Sequence, residues 1–227
     1  MLIVCKIDKA TAKAVTEAKH YSRRLGIMWE AFGLYDDGAL IGVCCYGQPS
    51  APIQKHAFAN RDYRLYELTR LVVDRGAPKN AASILIAGSL AQLSERPAAV
   101  VSYADSSHGH CGIVYQATNW LYTGATKAHD SLYMVNGEKL HAMTVMDRFK
   151  VTDPGRWAKE NGIERIKPEA KHRYFMFIGS KSDKRRMLKG LKYPVIKDYP
   201  KAEKTLYDCG KPCMESIKSE IQGALFA

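Results

Sequence analysis

The residues with most chemical potential in this 227-residue chain sit where strands run into helices. Between Leu68 and Leu93 an apolar strand ends in DRGAPKNAAS and opens into an Ala-rich helix. A Gly-containing turn there presents backbone N–H groups at a helix N-terminus, the arrangement that binds anions. Lys79 and Ser83 add a charge and a hydroxyl; a plain strand–helix connection is the alternative. The turn matches neither GxxxxGK(S/T) nor GxGxxG, which excludes a triphosphate loop and a dinucleotide fingerprint. A pyrophosphate on a carrier such as coenzyme A suits a loop of this kind. Asp105 closes the strand AAVVSYA at its C-terminal end, where α/β sheets place ligand chemistry, and Tyr115 follows on a short helix. A turn carboxylate and a core tyrosine are the plainer readings of those two.

Metal-ligand patterns are sparse. His108-Gly109-His110 has the spacing of a metal pair in a loop, and Cys209 and Cys213 form a C-x3-C without a second pair. The remaining cysteines (Cys5, Cys44, Cys45, Cys111) are scattered and read as small hydrophobes in a reducing compartment. No apolar run approaches the roughly 18–20 residues that span a bilayer. MLIVCKIDKA is too short for a signal h-region, so an intracellular protein is expected.

Charge points to a polyanion. The chain carries 34 Lys+Arg against 23 Asp+Glu, a net charge of +11, and residues 151–227 hold 17 and 10 of them. Lys181, Lys184, Arg185, Arg186, Lys189 and Lys192 crowd together with Tyr193 and Tyr199 interleaved. Lysine and arginine neutralise phosphates, and tyrosines offer stacking faces to unpaired bases. A solvated basic helix is the bland alternative.

These residues need a scaffold. Hydrophobic patterning predicts strands at 2–7, 29–35, 39–46, 63–73 and 98–104, with helices at 10–25, 80–93 and about 112–118. WLYTG begins a further strand, and Asp36-Asp37-Gly38 makes a hairpin turn. Residues 47–62 read as loop. Beyond Gly124 a hairpin turns at Asn136-Gly137, a polar helix covers 153–165, and HRYFMFIG (172–179) is a clear strand returning to the main sheet. The class is α/β with a mixed sheet: a domain over 1–180 with an insertion at about 125–170, and a basic extension over 181–227.

Element order and loop together resemble the GNAT acyltransferase fold, in which the strands here at 63–73 and 98–104 splay around the carrier's pantetheine arm. RGAPKNA keeps the glycine and small residues of that family's loop but not its spacing. The resemblance implies acyl-CoA, such as acetyl-CoA, as donor, held by Arg70, Gly76, Lys79, Asn80, Ser83 and Ser89, and a tyrosine at Tyr115 that protonates a departing thiolate. More specifically, KHYSRRL (19–25), GVCCYGQPSAP (42–52), YELTRLVVD (66–74), NAASILIAGSL (80–90), VVSYAD (100–105), GHCGIVYQATNWLYTG (109–124) and HRYFMFIG (172–179) together resemble the Mom-like DNA-modification proteins of phages. That resemblance implies an enzyme placing a carbamoylmethyl (methylcarbamoyl) group on the exocyclic N6 amine of adenine, shielding phage DNA from host restriction endonucleases.

It further implies a catalytic set of His20, Tyr21, Asp105 and Tyr115, the same four as ligands of an iron ion, with Trp29 and Tyr46 as lesser candidates. Double-stranded DNA with a flipped adenine is the implied partner, contacted by Arg23, Arg24 and the basic run from Lys181 to Tyr193. The infected cell's cytoplasm is the expected location, and a homodimer is compatible with it. Direct acyl transfer leaves a carbonyl on nitrogen, whereas a carbamoylmethyl group is joined through CH2. The donor or a further step must therefore differ from simple acetylation. A GNAT acetyltransferase acting on a protein or small amine, and a non-catalytic DNA-binding module, are the competing functions.

Overall fold

The structure is a computed structural model that describes residues 1–20, 22, 24–59, 62–106, 109–126, 132–167, 169–201, 206–208 and 211–213. The chain opens with β1 (Leu2–Lys6) and α1 (Lys9–Lys19), capped by Asp8, whose carboxylate accepts from the Thr11 N–H. Helix α1 stops at Lys19 instead of running to residue 25. The reason is local: the His20 ring nitrogen Nδ1 captures the Ser22 N–H at 3.1 Å, a competing hydrogen bond that leaves the helical path. Strands β2 (Glu30–Asp36) and β3 (Ala39–Gly47) follow as a hairpin. Asp37 and Gly38 have φ of 45° and 86° at its turn, the primed geometry the Asp-Gly pair favours.

The expected loop after β3 contains a short helix, α2 (Ala51–His56), which Pro52 helps start. Then come β4 (Arg64–Val73), α3 (Ala81–Gln92), β5 (Ala98–Asp105), α4 (Ile113–Ala117) and β6 (Leu121–Ala125). A separate three-stranded sheet follows, made of β7 (Leu132–Val135), β8 (Glu138–His141) and β9 (Glu164–Ile166), with α5 (Ala142–Phe149) and α6 (Pro154–Glu160) between β8 and β9. Its own small core holds Tyr133, Val135, Leu140, Val145 and Ala158. Strand β10 (Lys171–Ile178) returns to the main sheet, α7 (Lys181–Gly190) carries the basic run, and β11 (Leu206–Asp208) pairs with β12 (Lys211–Cys213).

The main sheet has the order β1-β2-β3-β4-β5-β10-β6. Among the described residues β4 and β5 are its parallel pair, and their ladder is short. Arg64–Glu67 pair with Ala98–Val101, and from there each strand continues without the other. This is the splay that the GNAT resemblance implies.

Alternation fixes which helix each face meets. Tyr66, Leu68, Val100 and Tyr174 pack with Leu85 and Ile86 of α3 on one face. On the other, Leu65, Ala99, Val101, Phe175 and Phe177 meet α2 and Met187 of α7, while Ala31, Val43 and Cys45 meet α1. In β4 the alternation breaks once. Tyr46 faces Leu68 and Cys45 faces Arg70, so Thr69 is an extra residue, a β-bulge. Beyond it Leu71 and Val73 take over the α3 face. Among the described residues no helix is long and apolar enough to cross a membrane.

The segment between α1 and β2 lies directly on β3. A Cβ built on Gly47 would sit on the Ile27 carbonyl, a clash with backbone that only glycine avoids. At Gly76, by contrast, a Cβ meets nothing within 4 Å. Gly47→Ala is therefore expected to destabilise the fold by about 1–3 kcal/mol, as overpacking does. Gly76→Ala should change stability by no more than about 0.5 kcal/mol. Urea denaturation of the two variants checks the contrast.

Candidate active site between the splayed strands

Where β4 and β5 part, a cavity of about 100 Å³ opens, lined among others by Glu67, Thr69, Arg70, Tyr103, Asp105 and Lys171. Two features of the backbone place these side chains. The bulge at Thr69 brings Glu67 and Arg70, three residues apart, to the same side of β4. Antiparallel register sets Lys171 of β10 opposite Asp105 of β5, and their side chains form an ion pair at 3.0 Å. Asp105 is nearly buried and Lys171 about half exposed, so the lysine screens the carboxylate from solvent.

Glu67 sits differently. Its Oε2 accepts the Ser50 N–H at 3.3 Å, and among the described residues no salt bridge holds it. Burial pushes its carboxyl above the ordinary glutamate value, against the lowering pull of that N–H and of the Arg70 and Lys171 charges. Glu30 shows the opposite balance. It is the more buried of the two, but Lys6, Ser94 and Tyr66 all donate to it, and together they outweigh desolvation and hold its pKa low. Glu30 is a satisfied structural carboxylate; Glu67 is a carboxylate poised to take a proton. Tyr103 beside it is pushed well up, first by burial and then by the Glu67 charge.

Arg70 anchors the wall. Its Nε donates to the Arg24 carbonyl at 2.5 Å and its Nη1 to the Thr69 carbonyl at 2.6 Å. Arg24 in turn donates from Nη1 to Thr144 Oγ1 of α5 at 3.0 Å. The α1–β2 segment and the inserted sheet thus meet beside the cavity. His141, at the start of α5, has its pKa lowered by burial and then by the Lys171 and Arg24 charges, which places all three groups in one neighbourhood.

The expected site residues divide. Asp105 and Arg70 share the cavity. Tyr115 approaches from the α3 face: its hydroxyl meets Ser102 Oγ at 2.8 Å, and Ser102 donates to the Leu68 carbonyl at 2.9 Å, across the opening between the strands. Its ring packs against Trp120 and Tyr174. His20 is buried just past α1, and with Nδ1 accepting the Ser22 N–H its neutral ring carries the proton on Nε2. Tyr21, Arg23, His108 and Cys209 lie outside the described residues.

Gly76, Lys79 and Asn80 lie exposed in the β4–α3 turn, and Ser83, partly buried, is in the first turn of α3. Asn80 takes the left-handed conformation there, with φ 68°, and no side chain caps α3. Ser89 is away from that turn, fully buried two turns into α3 and hydrogen-bonded to the Tyr46 hydroxyl at 2.7 Å, so both residues have a packing role. Trp29 lies under the Arg64 guanidinium at the start of β4.

Among the described residues no three His, Cys, Asp or Glu side chains gather as a metal site. Of the expected iron set, Asp105 pairs with Lys171, Tyr115 meets Ser102 and His20 takes the Ser22 N–H, while Tyr21 lies outside the described residues.

The basic run is exposed along α7, whose start is fixed by a capping box between Ser180 and Asp183. Lys181, Lys184, Arg185, Lys189 and Lys192 make no ion pair among the described residues, whereas Arg186 is held by Asp62 and Asp183. Tyr193 is not a free stacking face, because the Arg173 guanidinium lies 3.4 Å over its ring. Tyr199 gives its hydroxyl to the Trp120 carbonyl. Met187 and Tyr193 pack on the same face as Tyr103, so α7 and the cavity share one side of the sheet.

The raised Glu67 carboxyl has a consequence for stability. Between the ordinary glutamate pKa and the raised one, the unfolded chain has released a proton that the folded chain keeps, so stability falls as pH rises through that window. Glu67→Gln keeps the acceptor for Ser50 and removes the charge. Urea denaturation from mildly acidic to neutral pH should show the parent losing ground to Glu67→Gln as pH rises.

Comparison with known proteins agrees with the sequence resemblance. The methylcarbamoylase mom of Escherichia phage Mu is 28% identical over 198 residues, covering 84% of this chain and 80% of that protein. Among solved structures, the ribosomal-protein-S18-alanine N-acetyltransferase of Escherichia coli aligns over 80% of this chain and 97% of its own, with 9% identity and a TM-score of 0.44. An N-acetyltransferase from Staphylococcus aureus Mu50 aligns over 78% and 98%, with 14% identity and a TM-score of 0.43. The model of the Mom protein family matches residues 1–201, and the chain belongs to that family.

Proposed function

We propose that this protein is a DNA-modifying transferase that places a methylcarbamoyl (carbamoylmethyl) group on the N6 amine of adenine in phage DNA and so protects that DNA from restriction endonucleases. The observation that carries the reading is the polar cavity between β4 and β5, opened on the face that also bears the uncompensated cations of α7. Family membership and the name of the phage Mu relative, a methylcarbamoylase, support the group transferred.

The chemistry asks for what this cavity holds. The lone pair of adenine N6 is delocalised into the ring, and a new N6–C bond replaces one N–H, releasing one proton. A carboxylate must take that proton as the bond forms. Glu67, half-buried and without an ion pair among the described residues, is suited to it. Asp105, paired with Lys171, is suited to hold the base or the developing charge. Tyr115, joined through Ser102 to the opening between the strands, is placed to protonate a leaving group carried by a donor arm lying there.

An acyl-CoA-like carrier is the donor class that the splay and the uncapped turn before α3 support, with Arg70, Gly76, Lys79, Asn80 and Ser83 nearest to it. Direct acetyl transfer does not yield a CH2-linked group, so the carrier delivers something other than a plain acetyl carbonyl. Each step is assigned to the protein's own side chains. Lys184, Arg185 and Lys189 hold the DNA backbone.

Mass spectrometry of nucleosides from the DNA of cells expressing the protein tests the reading. A modified deoxyadenosine is expected. Glu67→Gln, Asp105→Ala and Tyr115→Phe should each lower its yield by about 10²-fold or more while the fold persists. Unmodified DNA accompanied by acetylated protein contradicts the proposal. Charge reversal at Lys184, Arg185 and Lys189 should weaken duplex binding and reduce the salt slope by roughly three; an unchanged slope removes α7 from the interface.

A further inference from the structure

A base drawn out of a duplex leaves a gap in the stack, and proteins that deform DNA commonly fill such gaps with an apolar wedge. We infer that Ile27, at the tip of the segment joining α1 to β2, is the wedge that occupies the space left by the adenine. The inference rests on the DNA-adenine reading above and extends it to how the base is reached.

Four observations bear on it. The segment is pinned: the Arg24 carbonyl accepts from Arg70, the Arg24 guanidinium reaches Thr144, and the Trp29 N–H donates to the Tyr46 carbonyl at 2.8 Å. Its backbone presses on Gly47 with no room for a Cβ. Despite this rigid seat, the Ile27 side chain is 64% exposed. Gly26 turns the chain at φ 57°, and its Cβ direction faces Nη2 of Arg70, a cavity-lining residue, at 3.8 Å, so Ile27 directly follows a residue seated against the cavity wall.

The surroundings are cationic. Arg24 and Lys171 both act on His141 there, and the adjoining turn of α5 adds a second exposed apolar side chain, Met143. An exposed isoleucine on a fixed loop among cations matches a duplex: phosphates for the charges and a vacated stack for the apolar tip. A wedge must be rigid to hold its place, and this segment is tied down on both sides of Ile27.

Duplexes carrying 2-aminopurine in place of adenine, in mixed sequence contexts, test the inference, because the analogue brightens when it leaves the stack. Binding is followed separately by fluorescence anisotropy. The parent protein is expected to brighten the probe. Ile27→Ala should bind the duplex within about twofold of the parent yet give a fluorescence rise at least about threefold smaller. Placing an abasic site opposite the probe removes the need for a wedge, and the variant should then match the parent. Ile3→Ala, which removes an exposed isoleucine on β1, should behave as the parent throughout. A full rise with Ile27→Ala on the paired duplex overturns the wedge, as does a deficit that the abasic partner fails to relieve. A parent that binds no DNA overturns the underlying reading, and the wedge with it; a parent that binds without brightening the probe overturns the wedge alone.

Discussion

One extra residue in β4 shapes everything around the site. Thr69 has no partner of its own on β3, and its insertion shifts the strand's alternation by one. A bulge bends its strand and increases the local twist. Here the ladder to β5 ends at Glu67 and Val101, just before the bulge, so the two strands separate where a bent β4 would lead them apart. The backbone groups left facing the gap are not abandoned: Ser102 covers the Leu68 carbonyl, and Tyr115 is tied to Ser102. The opening costs ladder hydrogen bonds, and a side-chain network from the next strand and helix offsets part of that loss.

The same opening produces the electrostatics. A carboxylate in a narrow cavity loses hydration, and its pKa depends on how many donors replace the water. Glu30, two strands away on β2 and hydrogen-bonded to Tyr66, has a full set and behaves as structure. Glu67 has one backbone N–H and two nearby cations, and burial still wins. That imbalance disfavours the ionised fold, a cost of the kind that functional sites bear and packing residues do not.

Much of the scaffold was legible in the residues. Apolar alternation located β1 to β6 and β10 to within a residue or two, and Asp-Gly and Asn-Gly marked both hairpin turns. Four elements were less readable: α5 went unread, and the helix expected over 153–165 stops at Glu160, with Glu164–Ile166 forming β9 instead. The end of α1 depends on a His20–Ser22 side-chain contact invisible to periodicity, and α2 is too short to show one. Asp105 and Arg70 stood out by type and place, but Glu67 did not. In YELTRLVV a strict two-residue period sends Glu67 and Arg70 to opposite faces, and only the Thr69 bulge reunites them. The later recovery of Leu71 and Val73 as apolar positions out of phase with Tyr66 and Leu68 was the available signal. Lys171 joins the site through register with Asp105 across 66 residues of chain, which no local pattern encodes.

The central claim is that a half-buried Glu67 carboxyl with a raised pKa takes the proton lost from the amine. The pH dependence of kcat/KM for adenine modification tests this most directly. The account predicts an acidic limb whose midpoint lies above the ordinary glutamate pKa, and its disappearance from the residual activity of Glu67→Gln. An acidic limb that persists unchanged in Glu67→Gln would contradict it.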